Sequence, residues 1–533
     1  MGLLSLLIFL PLAALLLIVL LPKTLQGTFK YIALGFTLFQ FLLAGYMYSQ
    51  FDGSATGINQ LSGYRFVEQL SWIRLDLGGL GQLEIDYLIG ADGISLPLLL
   101  LSSLVMLMAV GASWNMQRKA KGYFALLMLL NMAVMGIFSA LDFFLFYIFY
   151  EVMLFPLYFL IGIWGGVNRE YAAIKFFIYT LFGSVFMLLI IVGLYFSVTN
   201  PETGAHTFNM LYMMNPGNYI DGSFFAYGSS NAVWGIPARM LGFIVLFIAF
   251  AIKIPIVPLH TWLPDAHVEA PTPVSIILAG ILLKIGGYGI IRVCMSIFPD
   301  ASASANWWLG LIGVISILYG ALNALAQKDF KRTIAYSSVS HMGFVLLGLA
   351  SLTAEGVSGA MFQMISHGFL SASLFFLVGV IYDRVHDRYI YHFRGLANIM
   401  PKYTGYVAIA FFASLGLPGF SAFIGEAFVI IGTFNAESVG TGIPRWMAIA
   451  GSLGILLSAV YFLWTLQRMF FGKTRLKGSE EWFKALKDLT VREQVILFPA
   501  LALALLLGTM PFLVFDKLNA SVLNLVTLIT EQL

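Results

Sequence analysis

Six ionisable side chains lie in apolar runs where a sequence ordinarily avoids them. Glu151 falls inside the run 143–164, Lys253 inside 239–262, Lys284 inside 273–297 and Glu426 inside 404–432, while His341 and His367 occupy the runs 332–351 and 357–381. Carboxylates, amines and imidazoles share one capacity, that of taking up a proton and returning it once burial and neighbours have tuned them. A charge at the centre of a membrane helix costs about 2.5–3.5 kcal/mol on the insertion scale, so four retained carboxylate and amine groups suggest a proton relay. The plainer reading makes Glu151 and Lys253 a buried ion pair that only fixes packing. It leaves Lys284 needing a partner as distant as Glu426. Each histidine serves equally well as a packing residue, although Ser337, Ser340, Gln363 and Ser366 beside them supply hydroxyls and an amide that could hold water.

A second polar cluster, His260, Asp265, His267 and Glu269, invites comparison with a metal site. The spacing of its histidines is not the short helical one of familiar zinc sites, and its prolines predict a loop that caps broken helix ends or forms the mouth of an aqueous path. No metal is expected. The cluster Gly286-Gly287-Tyr288-Gly289 follows no strand, so it reads as close helix packing and not as a nucleotide loop.

The elements that must position these groups follow from composition. Of 533 residues, 60% are apolar and 10% charged, against about 25% charged in soluble domains. A water-soluble protein is excluded, and long unbroken apolar runs exclude a transmembrane β-barrel. Runs of about 18 residues or more predict an all-α integral membrane protein of about 14 helices, near 2–21, 30–49, 93–113, 122–140, 143–164, 172–197, 239–262, 273–297, 306–326, 332–351, 357–381, 404–432, 446–471 and 493–515. The first run, with no basic start, reads as a retained helix and not a signal peptide. Polar connections at 50–92 and 198–238 are too small for an enzyme domain. The net charge of +3 points to no nucleic-acid partner, and the single cysteine, Cys294, excludes an intrachain disulfide and an iron–sulfur cluster held by this chain alone. Electron transfer, if any, belongs to another subunit.

Connections after odd-numbered spans hold most of the Lys and Arg, whereas those after even-numbered spans hold essentially Arg65, Arg74, Arg239 and Arg445. The odd connections should therefore face the cytoplasm or its equivalent, with both termini on the other side. Residues 468–492 alternate basic, acidic and aromatic residues, as a cytoplasmic amphipathic segment lying along the surface or a partner does. Two spans are interrupted, the seventh at Lys253-Ile-Pro255-Ile-Val-Pro258 and the twelfth at Gly416-Leu-Pro418-Gly419, where proline and glycine break the helix. Freed backbone at that depth must line a wet cavity or be buried in protein. Five helices separate the breaks, and an odd number inverts a repeated unit. The chain then divides into residues 1–121 with the first three helices, two inverted five-helix repeats at 122–297 and 306–471, and 472–533 with the amphipathic connection and last helix.

The stretches Glu151-Val-Met-Leu-Phe-Pro156, Lys253-Ile-Pro255 through Pro271, Ser340-His341-Met-Gly343 and Leu417-Pro418-Gly419 with Gly425-Glu426 resemble the antiporter-like membrane subunits of respiratory complex I. The resemblance covers nearly the whole chain. A glutamate at Glu426, where the other two types carry lysine, is similar to the M-type branch. The resemblance implies the 14-helix fold with two inverted repeats and proton pumping driven by electron transfer from NADH or ferredoxin to quinone in neighbouring subunits. It implies that FMN, iron–sulfur clusters and quinone sit in those partners and not in this chain. L-type and N-type antiporter-like subunits are then the protein partners, within the bilayer of an energy-transducing membrane, bacterial inner membrane first. By position, Glu151 and Lys253 match the family's ion pair, Lys284 its central lysine and Glu426 its exit-side group. Two other readings remain at this stage: the D-type subunit of a multi-subunit cation/proton antiporter, and a structural scaffold.

Overall fold

The computed structural model describes residues 2–532 except 55, 77, 79–81 and 479. Twelve helices cross without interruption: α1 (Leu3–Leu20), α2 (Phe29–Gln50), α3 (Ser95–Ala112), α4 (Ala120–Ser139), α5 (Phe143–Trp164), α6 (Arg169–Tyr195), α9 (Thr272–Met295), α10 (Pro299–Ala326), α11 (Phe330–Ala350), α12 (Ala354–Val385), α15 (Arg445–Phe470) and α16 (Val491–Thr509). Two crossings are split as expected. α7 (Ala238–Lys253) stops before a turn rich in proline and resumes as α8 (Trp262–Glu269); α13 (Pro401–Ser414) stops at Gly416 and Gly419, both with positive φ, and resumes as α14 (Ser421–Val439). Pro264 stands in the first turn of α8, where a missing N–H costs nothing. The expected loop over Asp265, His267 and Glu269 is therefore a short helix.

One helix was not anticipated. Phe512–Thr530, α17, is as long and apolar as a span, yet its contacts run along a single face of the bundle. Tyr48 Oη donates to Leu513 O (2.7 Å), Gly93 N to Ser521 Oγ (3.2 Å) and Asn524 Nδ2 to Gly57 O (3.2 Å), and Lys517 Nζ meets Phe51 O. The same face carries a hairpin, β1 (Arg65–Asp76) and β2 (Gln82–Ala91), hidden within the polar connection 50–92. Glu68 of β1 accepts from Gly2 N, Ser5 N and Ser5 Oγ at 2.8–2.9 Å, satisfying orphan amides at the start of α1.

Contacts sort the connections into two sets. Lys121 Nζ reaches Leu21 O (2.8 Å), Asn168 N reaches Glu269, Arg388 pairs with Asp329 (2.6 Å) and Arg384 with Glu493 (2.9 Å), all between ends of odd-numbered crossings. Arg239 pairs with Asp300 (2.6 Å) and Thr441 Oγ1 donates to Ser351 O (3.0 Å), both between ends of even-numbered ones. That alternation requires each broken helix to cross once. On the odd side, β3 (Phe393–Arg394) pairs with β4 (Arg475–Leu476), anchoring the amphipathic connection.

The most enclosed helices are α9, α11 and α12, whose apolar windows are 94–100% buried. Glycines allow their approach: a Cβ on Gly286 would lie 2.4 Å from Ile254 N in the broken turn, and one on Gly289 would lie 2.2 Å from Phe250. The glycine cluster is packing, as expected.

Candidate functional site

Lys284 stands on α9 between two π-helical segments, Leu278–Leu282 and Ile290–Met295. Wide turns of this kind leave carbonyls poorly committed and gather at functional positions. Lys284 Nζ donates to Ala279 O (2.6 Å) and lies 2.7 Å from His367 Nδ1 on α12. The His367 ring centroid is 5.4 Å from that of His341 on α11. His341 Nδ1 in turn lies 3.3 Å from Glu426 Oε1 on α14 and 3.3 Å from Gln363 Nε2. Gln363 Nε2 also donates, at 3.5 Å, to Glu426 Oε1. Four of the six residues thus form one buried series, with Gln363 as a side member.

Unsatisfied polar atoms surround it. His341 Nε2, Gln363 Oε1, Glu426 Oε2, Ser414 Oγ and Tyr461 Oη are buried without a hydrogen-bond partner, a costly condition for groups that cannot meet water. Ser337, His341, Gln363, His367, Ser371 and Ser414 line a small cavity beside the series. The second helix break leaves room for Glu426: Oε2 lies only 2.5 Å from where a Cβ on Gly416 would stand, and Gly416 holds φ at +78°.

The other two residues sit apart from this series. Lys253, the last residue of α7, is fully buried, with Nζ 4.8 Å from the Tyr150 ring centroid and 5.5 Å from that of Phe176. Cation–π attraction partly replaces the lost hydration. Glu151, one residue after Tyr150 on α5, does not touch Lys253; Lys253 Nζ and Glu151 Oε1 are both buried without a hydrogen-bond partner. The ion pair implied by resemblance is not a direct contact in this structure.

The second polar cluster is dispersed. His260 packs on Tyr319 (centroids 5.1 Å) and His267 stacks on Phe375 (4.2 Å). Asp265 bridges Lys175 (2.7 Å) and Arg332 (3.2 Å), and Glu269 caps the start of α6 through Asn168 N (2.9 Å). Among the described residues no three His, Cys, Asp or Glu side chains are grouped to hold a metal.

Sequence reasoning missed two buried cations. Arg292, two turns beyond Lys284 on α9, pairs with Asp92 at 2.6 Å and donates to Tyr64 Oη (2.6 Å) and Tyr288 Oη (3.2 Å), with both charged partners fully enclosed. Lys331, read as a topological marker, is buried and donates to Ala270 O (2.6 Å). The spacing of Lys284, Tyr288 and Arg292, four residues apart on one helix face, was the available signal.

Residues 140–461 match the family model described as "NADH:quinone oxidoreductase/Mrp antiporter, TM". The chain belongs to this family. Among its members, "NADH-quinone oxidoreductase subunit M" of Rhodobacter capsulatus is 38% identical over 98% of this chain and 96% of its own length. A chain of respiratory complex I from Thermus thermophilus superposes with a TM-score of 0.81 at 28% identity, covering 99% of both chains. A chain of the Mrp complex from Dietzia sp. shares the fold at a TM-score of 0.80 and 20% identity, covering 100% of this chain and 99% of that one. The antiporter-like fold expected from the sequence is therefore the fold of the family, and the four-residue series lies within the matched region.

Proposed function

We propose that this chain is the M-type proton-translocating subunit of an NADH:quinone or ferredoxin:quinone oxidoreductase, moving protons through buried side chains while electrons move through FMN, iron–sulfur clusters and quinone in other subunits. The observation that carries the reading is the close approach of Lys284, His367, His341 and Glu426 across three helices and the half-helix beyond a break, with a 5.4 Å ring contact and no hydrogen bond at the His367–His341 step.

The geometry supports a sequence of steps. A proton reaches Lys253, whose affinity for it rises when the Glu151 carboxylate moves closer and falls when it recedes. It passes to Lys284, then along the 2.7 Å contact, where an ammonium N–H faces the Nδ1 lone pair of His367. His367 delivers it towards His341. There the tautomer sets the direction: with Nδ1 protonated His341 donates to Glu426, and with Nδ1 bare it accepts from Gln363. Glu426 releases the proton past Ser414 and Tyr461. The basic odd connections would face the cytoplasm and both termini the opposite side, in a bacterial inner membrane. L-type and N-type relatives would flank the chain, and the two halves at 122–297 and 306–471 would act as inverted half-channels.

Lys284→Met tests this reading in the assembled complex within inverted membrane vesicles. A several-fold fall in NADH-driven acidification, with the subunit inventory unchanged, is the expected result. Normal acidification would overturn the assignment of Lys284. Sodium-dependent proton exchange in a redox-free assembly would point instead to the cation/proton antiporter branch of the family.

A further inference from the structure

On the odd-connection side, Phe393–Arg394 and Arg475–Leu476 pair as two short antiparallel strands in which Arg394 lies directly opposite Arg475. Like charges facing each other across strands repel and destabilise the pairing. The pairing nevertheless holds the amphipathic connection to the bundle. Neither arginine has a carboxylate partner among the described residues, and neither do Arg468 or Lys477 nearby. All of these face one groove of about 630 Å³, lined also by Tyr391 and His392. His392 alone of the groove's basic groups meets a carboxylate, Asp387, at 2.8 Å.

The position of the groove bears on what could neutralise it. Arg468 is in the last turn of the spanning helix α15, and its guanidinium carbon lies 4.9 Å from the Trp464 ring centroid and 5.7 Å from that of Tyr391, itself half exposed. Tyr and Trp at a helix end mark the headgroup level of a bilayer. An anion of the lipid headgroup layer could reach a groove at this level, and basic pockets at this depth suit phosphate-bearing headgroups. Guanidinium groups facing each other offer paired N–H donors that match phosphate oxygens.

We propose that this groove binds the headgroup of an anionic phospholipid, whose phosphate bridges Arg394 and Arg475 and pins the amphipathic connection to the end of α15. Free phosphate shares the chemistry but lacks the acyl chains that would hold it at this depth.

The test uses the whole complex from its native membrane, placed in nanodiscs of phosphatidylcholine alone or with one-fifth phosphatidylglycerol. Wild-type protein is expected to retain more anionic phospholipid through purification and to melt higher in the mixed discs. The double variant Arg394→Gln, Arg475→Gln, which relieves the repulsion and so keeps the strands paired, should lose that preference at least about tenfold. Arg394→Lys with Arg475→Lys should keep most of it. Equal melting of wild-type protein in both discs overturns the proposal without any variant. So does full stabilisation by inorganic phosphate in phosphatidylcholine discs, which would identify a free-anion site. Loss of a protein subunit from the Gln variant with its lipid content unchanged would make the groove a protein interface and sink the lipid assignment.

Discussion

Glu151 shows how a residue can matter to a lysine that it does not touch. Because its carboxylate makes no direct contact with Lys253, Glu151→Gln removes a charge and leaves the neighbouring packing in place. We expect the variant complex to assemble with its full set of subunits and to move fewer protons per NADH oxidised; an unchanged ratio would remove Glu151 from the relay. Gly416 is constrained from two directions, by φ of +78° and by the Glu426 carboxylate, 2.5 Å from where a Cβ would stand. Gly416→Ala should cost about 1–2 kcal/mol from the backbone alone and displace Glu426. A lower melting temperature together with reduced pumping is the expected pair of readouts, and a melting temperature equal to wild type would remove the strain argument. The six ionisable residues proposed for the relay stand out in the sequence because charge inside an apolar run is conspicuous. Their order in space does not, since His341, His367 and Glu426 approach through helix packing that no local pattern encodes. Arg292 and Asp92, 200 residues apart, were equally hidden.

At the scale of elements, both helix breaks were readable because proline and glycine act locally, and the break after Lys253 sits where expected. The helix α8 forms where the prolines predict a loop, because Pro264 falls in a first turn, where proline starts a helix as readily as it ends one. Asp142 offers a pH-dependent test at such a helix start. It caps α5 by accepting from Leu145 N at 2.9 Å, and burial raises its carboxyl from the usual range to about 7. In the unfolded chain it ionises near the ordinary value of about 3.9. The protonated form therefore favours folding fully below that value, and the benefit fades as pH rises towards 7. Asp142→Asn keeps an acceptor for the cap and lacks the proton. Melting measured from pH 4 to 7 should fall less steeply for the variant than for wild type; parallel curves would show that Asp142 is ionised throughout.

For the whole molecule, the hydropathy count of about 14 agreed with the number of helices long enough to span, but not one for one. Breaking shortened the seventh crossing, while α17 qualified by composition and lies against one face. Its register with Phe51, Gly57 and Gly93 ties the last helix to the first polar connection. A chain ending at residue 511 should keep its crossings and lose this strap. Limited proteolysis from that side should then cut within 52–60 many-fold faster than in the full chain, and equal rates would show that the loop is held by other contacts.

That strap joins residues 466 positions apart in the chain, which sets an order on biogenesis. The crossings enter the bilayer one after another as the ribosome delivers them. The loop that begins at Phe51 is made early, and its contacts with α17 can form only after residues 512–530 have been synthesised. Closure of that face therefore has to wait for residues 512–530, whatever the order of the other contacts.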